Sequence, residues 1–135
     1  MMRIIYCVGN PDVPEDALAI ELANGFQKEG VPGFRFEVLK HPEILINTLG
    51  DILILDVVKG ITNVTLINDI SRLKKRNITT LHDFDLGALL QIMKEAGTLK
   101  SVRIIGIPMG MKKDQAKKEV ISLLDQIGGS SVTSI

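Results

Sequence analysis

The sequence predicts an α/β protein, a three-layer α/β/α sandwich around a five-stranded, mostly parallel (mixed) twisted sheet. Apolar runs of strand length alternate along the 135 residues with longer segments in which apolar residues recur at helical spacing. One run, 51–58, is almost continuously apolar, which is typical of a strand covered on both faces. The length and the lack of a linker predict one domain over 1–135.

Five apolar runs predict the strands, and they occupy 3–8, 34–39, 51–58, 63–67 and 101–107. The third run, D-I-L-I-L-D-V-V, is expected at the centre of the sheet, and the fourth near an edge. The link K-G-I-T between them is too short for a crossover helix. The third and fourth strands are therefore expected to pair antiparallel, which makes the sheet mixed.

Helical spacing predicts three main helices, at 15–29, 84–96 and 112–127. Leu18, Leu22 and Phe26 form the apolar stripe of the first, which ends near Gly30. Pro42 is suited to open a short helix between the second and third strands. The tail G-G-S-S-V-T-S-I is expected to be loose.

Composition excludes several function classes. Sixteen basic residues balance sixteen acidic ones, and the basic run at 72–76 has no interleaved aromatic residue, so neither a nucleic-acid nor a membrane partner is expected. The N-terminal apolar run is too short for a signal peptide or a membrane span. The single cysteine, Cys7, cannot form an internal disulfide and is interpreted as a core residue. We expect a cytoplasmic protein.

Polar residues gather where the predicted strands end. Asp16 follows the first strand, Asp56 interrupts the central apolar run, and His82 precedes the helix at 84–96. Sites in open α/β sheets form outside the carboxyl ends of the strands, so these loops are expected to converge. Two carboxylates held close together repel unless one takes a proton or a cation lies between them. Two oxygens and one imidazole nitrogen would accept nickel or zinc.

Each of these residues also has a purely structural interpretation. Asp16 could be a first-turn carboxylate favoured by the helix macrodipole, and by composition alone this is the stronger interpretation. Asp56 could accept backbone hydrogen bonds at the strand end. His82 could be a surface residue or a helix cap, although Asp83 is itself a plausible N-cap. The other histidine, His41, is interpreted as structural or exposed.

Two other kinds of site find less support. The turn V-G-N-P has one glycine, the full phosphate-loop patterns are absent, and Pro11 and Pro14 lack the N–H groups that such loops use. A nucleotide or flavin site at this turn is therefore a weak alternative. The G-x-S-x-G pattern of a nucleophile elbow is absent, which argues against Ser-His-Asp hydrolysis.

The chain resembles the nickel–iron hydrogenase maturation endopeptidases, small proteases that trim the C-terminus of a hydrogenase large subunit. The resemblance rests on C-V-G-N followed after four residues by Glu15-Asp16, on I-L-I-L-D ending at Asp56, and on T-T-L-H-D-F-D-L with His82. H-P-E-I-L at 41–45 and I-I-G-I-P at 104–108 agree with the same register. Together these matches span 1–108.

The resemblance implies that Asp16, Asp56 and His82 are the metal-contacting and catalytic residues. It also implies that nickel is carried by the substrate, a hydrogenase large-subunit precursor, with zinc or cadmium able to take its place in a crystal. In this aspartic-type, metal-recognising endopeptidase, nickel signals that the precursor is complete, and the C-terminal extension is then removed. Whether nickel also acts as a Lewis acid stays open.

The sequence departs from the family near the expected substrate cleft. Ala17, Leu18 and Ala19 stand where the family usually has glycines, and L-K-H-P replaces a glycine-rich turn after the second strand. A divergent inactive family member is therefore one alternative. A non-enzymatic α/β module that binds a nucleotide or a protein partner is the other. The sequence does not indicate the oligomeric state.

Overall fold

The computed structural model describes residues 3–10, 12–14, 16–40, 44–45, 51–68, 79–80 and 101–133. Within these ranges the chain forms six strands and two α-helices. In chain order they are β1 (Arg3–Cys7), α1 (Leu18–Glu29), β2 (Phe34–Val38), β3 (Asp51–Lys59), β4 (Thr65–Ile67), β5 (Thr79–Thr80), β6 (Ser101–Pro108) and α2 (Lys113–Thr133). No helix in the described ranges is long and apolar enough to cross a membrane.

The strands form one mixed sheet in the order β2-β1-β3-β6-β4, with the two-residue β5 paired to β3. β1, β2, β3 and β6 are parallel, whereas β4 and β5 run antiparallel to their neighbours. β3 is central. It is buried along its whole length except at its two end residues, as its nearly continuous apolar sequence predicts. The predicted α/β class and the five-stranded, mostly parallel mixed sheet are confirmed, with β5 as a short addition.

The predicted pairing of the third and fourth strands is wrong. β4 is antiparallel as expected, but it pairs with β6, from Thr65 opposite Gly106 to Ile67 opposite Ile104. β3 is already paired with β1 around Ile54, with β6 from Asp51 to Val58 and with β5 at its last two residues, so the end of β3 next to the link is not available to β4. After Gly60, which has a φ of 100°, the chain therefore reaches the far side of β6.

Both described helices pack on the same face of the sheet. Phe26 of α1 lies with its ring centre 5.0 Å from that of Phe36 in β2, and both rings are buried. The buried residues that α1 and α2 contribute to this core are Ala19, Ile20, Leu22, Ala23, Phe26, Ala116, Val120, Leu124 and Ile127. Their spacing of three and four residues explains why these segments are helices, since each buries one apolar stripe.

The opposite face of the sheet is also buried. Tyr6, Ile54 and Ile104 belong to a second apolar cluster on this face, together with Leu39 and Leu45 from the connection after β2. The helix predicted at 84–96, which would supply the third layer, lies outside the described residues, as does Pro42. The three-layer arrangement therefore stays a prediction on this side.

Two helix boundaries differ from expectation. α1 begins at Leu18 and not at residue 15, so Asp16 precedes the helix. α2 continues to Thr133, so the expectation of a loose tail after Ile127 is wrong up to that residue. A Cβ at Gly128 would lie 3.9 Å from Cε2 of Phe34, so the helix is still packed against the start of β2 where glycine was expected to end it.

Candidate functional site at the carboxyl edge of the sheet

The four parallel strands end at one edge of the sheet, called here the carboxyl edge. Two of the three predicted site residues lie there. Asp56 follows Leu55, the residue of β3 that pairs with Cys7 near the end of β1. Asp16 lies in the connection from β1 to α1. The structure brings the two carboxyl groups near enough for the charge of Asp16 to act on Asp56.

Asp56 is an acidic side chain inside an apolar layer. It is 0% exposed, and the alternation along β3 gives it the same sheet face as Ile54 and Val58. The pKa of Asp56 is raised to about 8, first by loss of hydration and then by the negative charge of Asp16, while a hydrogen bond from the backbone of Val57 partly offsets the rise. At neutral pH Asp56 therefore holds a proton in preference to ionising beside a second carboxylate.

Asp16 is 1% exposed and is tied to the preceding turn. The backbone N–H of Asn10 donates to Oδ2 of Asp16 at 2.8 Å. The interpretation of Asp16 as a first-turn carboxylate does not hold, because α1 starts at Leu18 and the acidic residue of its first turn is Glu21. Asp16 instead closes the loop after β1 and faces the end of β3.

Gly9 makes this placement possible. A Cβ at this position would lie 2.5 Å from the backbone oxygen of Asp16 and 3.5 Å from its Oδ1. The φ of Gly9 is 156°, in the range that favours glycine. The end of β1 therefore approaches Asp16 more closely than any residue with a side chain permits. The sequence showed the glycine, but its contact is visible only in the fold.

The loop that begins at V-G-N-P and ends at Asp16 uses four of its backbone donors internally. The N–H of Asn10 donates to Asp16, that of Asp12 to Oδ1 of Asn10 (2.9 Å), and that of Val13 to the carbonyl of Asn10 (3.1 Å). The N–H of Asp16 donates to the carbonyl of Val13 (2.9 Å). A phosphate loop presents such groups to its ligand. The turn therefore does not favour the nucleotide or flavin alternative.

Cys7 contributes packing to this region. It is wholly buried in the apolar core that faces α1 and α2. Burial raises the pKa of the Cys7 thiol far above its usual range, because a thiolate would lose its hydration there. The side chain has the properties of a small core residue, as the sequence indicated.

His82, the third predicted site residue, lies outside the described residues, as does His41. β5 ends at Thr80, two residues before His82 in the sequence, and Thr80 pairs with Val58, two residues after Asp56. Among the side chains that the structure describes, no three from His, Cys, Asp and Glu come together to hold a metal ion. The three-residue metal site therefore stays a prediction.

The two aspartates have the donor atoms that a divalent cation uses. A pair of buried carboxyl groups can hold one proton and one negative charge, or it can ionise fully when a divalent cation offsets both charges. Two carboxylate oxygens with an added imidazole nitrogen form a donor set that nickel or zinc accepts. The arrangement can thus exchange a proton for a cation, or move a proton at Asp56 near neutral pH.

Comparison with known proteins adds information on the fold. No protein-family model matches the chain, and no curated protein matches it. The crystal structure of an uncharacterized protein from Wolinella succinogenes is similar along the full length of both chains, with 15% sequence identity and a TM-score of 0.56. At this level of identity the similarity concerns the fold alone.

Proposed function

We propose that this protein is an endopeptidase that recognises nickel in a hydrogenase large-subunit precursor and removes the precursor's C-terminal extension in the cytoplasm. The observation that carries the proposal is the pair of buried carboxyl groups, Asp16 and Asp56, at the carboxyl edge of the sheet. These are the two acidic residues that the family resemblance assigns to nickel. The elevated pKa of Asp56 is typical of functional carboxyl groups.

The proposal gives each side chain a task. Asp16, fixed by the Asn10 N–H, presents one carboxylate oxygen toward the substrate's nickel. Asp56 releases its proton when the positively charged nickel of the substrate arrives. Asp56 thereby supplies both a ligand and a proton near the scissile bond. His82 is proposed as the nitrogen ligand. Nickel belongs to the substrate, where it would polarise the groups that it contacts.

The path of β5 supports the assignment of His82. Thr80 is held opposite Val58 by strand pairing, and Val58 is two residues from Asp56. Two residues of chain span at most about 7 Å. The chain from Thr80 is therefore long enough for the imidazole of His82 to reach the side chain of Asp56, as the assignment requires. The resemblance in sequence and the strand pairing are independent reasons for it.

The burial of both carboxyl groups favours a second candidate function. A nickel centre inside a folded precursor reaches Asp56 only if the carboxyl edge opens on binding, because Asp56 is 0% exposed. A module that binds a protein partner without cleavage needs no such opening. The buried pair would then set the stability of the protein and have no role in chemistry.

A processing assay separates the two candidates. Wild-type protein is incubated with nickel-loaded large-subunit precursor, and the C-terminal fragment is detected by mass. We expect processing by wild type and by Asp51→Asn, an exposed carboxylate on the same strand as Asp56. We expect no fragment with Asp16→Asn, Asp56→Asn or His82→Ala, each checked for a wild-type circular dichroism spectrum. Processing by all three variants would reject the proposal.

A thermal-shift series tests the metal preference separately. A ligand that binds only the native state raises the melting temperature. We expect nickel, zinc or cadmium to raise it in wild type and to have less effect in Asp16→Asn, whereas adenine nucleotides and flavin have none. A shift with nucleotide or flavin and none with any metal would favour the binding module.

A further inference from the structure

The exposed apolar side chains of the described chain gather at the carboxyl edge. Val13 (38% exposed) lies in the loop after β1, Val38 (37%) ends β2, and Met109 (42%) follows β6. Ile44 (51%) lies on the connection that leaves the end of β2. Among the described residues, no other large apolar side chain is exposed to this degree. Val13, Val38 and Met109 lie at the strand ends beside the candidate site, which makes this edge a candidate binding surface.

Exposed lysines lie at the same edge of the sheet. Lys59 is the last residue of β3, and the others lie after the ends of β2 and β6; the four are Lys40, Lys59, Lys112 and Lys113. The exposed acidic residues at this edge are Asp12 and Asp114, so the described part of the edge carries an excess of two positive charges. The whole chain has a net charge of zero. The described ion pairs, Arg35–Glu37 and Lys117–Glu29, involve none of these four lysines.

The lateral edges of the sheet are less suited to a partner strand. At β2 the backbone N–H of Phe36 donates to Oε1 of Gln27, a residue of α1 (2.9 Å). Beside β4 the N–H of Val64 donates to Oε1 of Glu119, a residue of α2 (2.9 Å). Helix side chains thus occupy donors that strand addition would use. The carboxyl edge is the more open surface for a polypeptide.

We propose that the carboxyl edge is the docking surface for an extended polypeptide segment in which apolar side chains alternate with carboxylates. Adjacent strands lie about 4.8 Å apart, so the ends of β2, β1, β3 and β6 span about 14 Å, the length of roughly four extended residues. The apolar side chains of the segment contact Val13, Val38 and Met109, and its carboxylates lie beside the lysines.

The chemistry of the surface favours a polypeptide over a nucleic acid. The exposed apolar side chains at this edge, Val13, Val38 and Met109, are aliphatic or thioether groups, which pack against apolar side chains. Single-stranded nucleic acid is usually bound by aromatic side chains on which bases stack. The inference rests on the proposed function for the identity of the segment, which is then part of the precursor's C-terminal region.

Fluorescence anisotropy with four labelled probes tests the surface. The probes are 12-residue peptides of alternating Leu and Glu, Leu and Lys, or Ser and Glu, and a 12-nucleotide thymidine oligomer. We expect the Leu–Glu peptide to bind about tenfold or more tightly than each of the others, and more weakly as salt rises. Failure of the Leu–Glu peptide to bind, or equal binding of another probe, would overturn the proposal.

Matched variants locate the binding. Lys59→Glu/Lys112→Glu is expected to weaken the Leu–Glu peptide about tenfold, and Met109→Ser about fivefold. Lys28→Glu, an exposed lysine in the last turn of α1 at the opposite edge, is expected to leave binding unchanged. All variants are surface changes, and melting temperatures near that of wild type verify their folding. Equal binding by the double variant and by wild type would contradict the assigned surface.

The two proposals fail in different ways. If the lysine variants lose peptide binding and wild type does not process the precursor, the docking surface would be retained and the endopeptidase rejected. If wild type processes the precursor, and the lysine and Met109 variants change neither peptide binding nor processing, the endopeptidase would be retained and the docking surface rejected. Asp56→Asn is expected to abolish processing and to leave peptide affinity within about twofold of wild type.

Discussion

Replacement of Asp56 by asparagine should change how stability depends on pH. Asp56 has a pKa of about 8 in the folded protein and about 3.8 when unfolded. Between these values the folded state holds a proton that the unfolded state has released, so wild-type stability falls as pH rises. Asparagine is close in shape to the protonated carboxyl group and does not titrate.

The magnitude follows from the difference in pKa. One unit is worth about 1.4 kcal/mol, so wild type should lose about 4–6 kcal/mol relative to Asp56→Asn between pH 4 and pH 8. Near pH 4 the two proteins should differ by about 1 kcal/mol, since the buried group is neutral in both. At pH 8 the variant should be clearly the more stable.

Urea denaturation at five pH values between 4 and 8 measures this difference. Asp51→Asn is the control, because it makes the same chemical change at an exposed position of the same strand. Its stability difference from wild type should stay within about 0.5 kcal/mol at every pH. A difference between wild type and Asp56→Asn that is constant across this range would refute the account of Asp56 as a buried, protonated group.

Three further changes test other contacts by thermal or urea denaturation. Gly9→Ala should cost about 1–3 kcal/mol, because its Cβ would collide with the backbone oxygen of Asp16. Gly25→Ala should stabilise the protein by up to about 1 kcal/mol, because Gly25 lies inside α1 and its added Cβ would meet no neighbouring side chain or strand within 4 Å. The opposite order would contradict the predicted effects of the two glycines. Phe26→Ala should cost about 3–5 kcal/mol, since the ring is 1% exposed, and a loss below about 1 kcal/mol would exclude it from the core. Lys117→Ala should cost less than about 1 kcal/mol, because its 2.6 Å ion pair with Glu29 is substantially exposed, and a much larger loss would contradict this view.

Local sequence patterns were sufficient for most strands and for the position of β3. The apolar run 51–58 is buried through seven consecutive residues from Ile52 to Val58, which is what a central parallel strand requires. Pairing partners were harder to predict. The link after β3 predicts a reversal but not which strand receives β4, because that depends on which sides of β3 are occupied by β1 and β6.

The candidate site was predicted in part from the same rule that places ligands at strand ends. Asp56 stood out because it interrupts an apolar run, and the fold confirms that it is buried. Asp16 was also a candidate, but composition alone favoured a structural role for it, since an acid near a helix start is common. Its tie to Asn10 and the close approach of Gly9 are contacts between segments that only the folded chain brings together. The role of His82 stays a prediction.

Carbon NMR of the aspartate carboxyl groups during a pH titration tests the central claim most directly, since it reads the two buried groups individually. The account predicts one carboxyl carbon that titrates near pH 8 in wild type and is absent in Asp56→Asn. In Asp16→Asn the same signal should titrate at lower pH, because a negative neighbour has been removed. Titration of every aspartate between pH 3 and pH 5 would contradict a coupled, buried pair at the carboxyl edge.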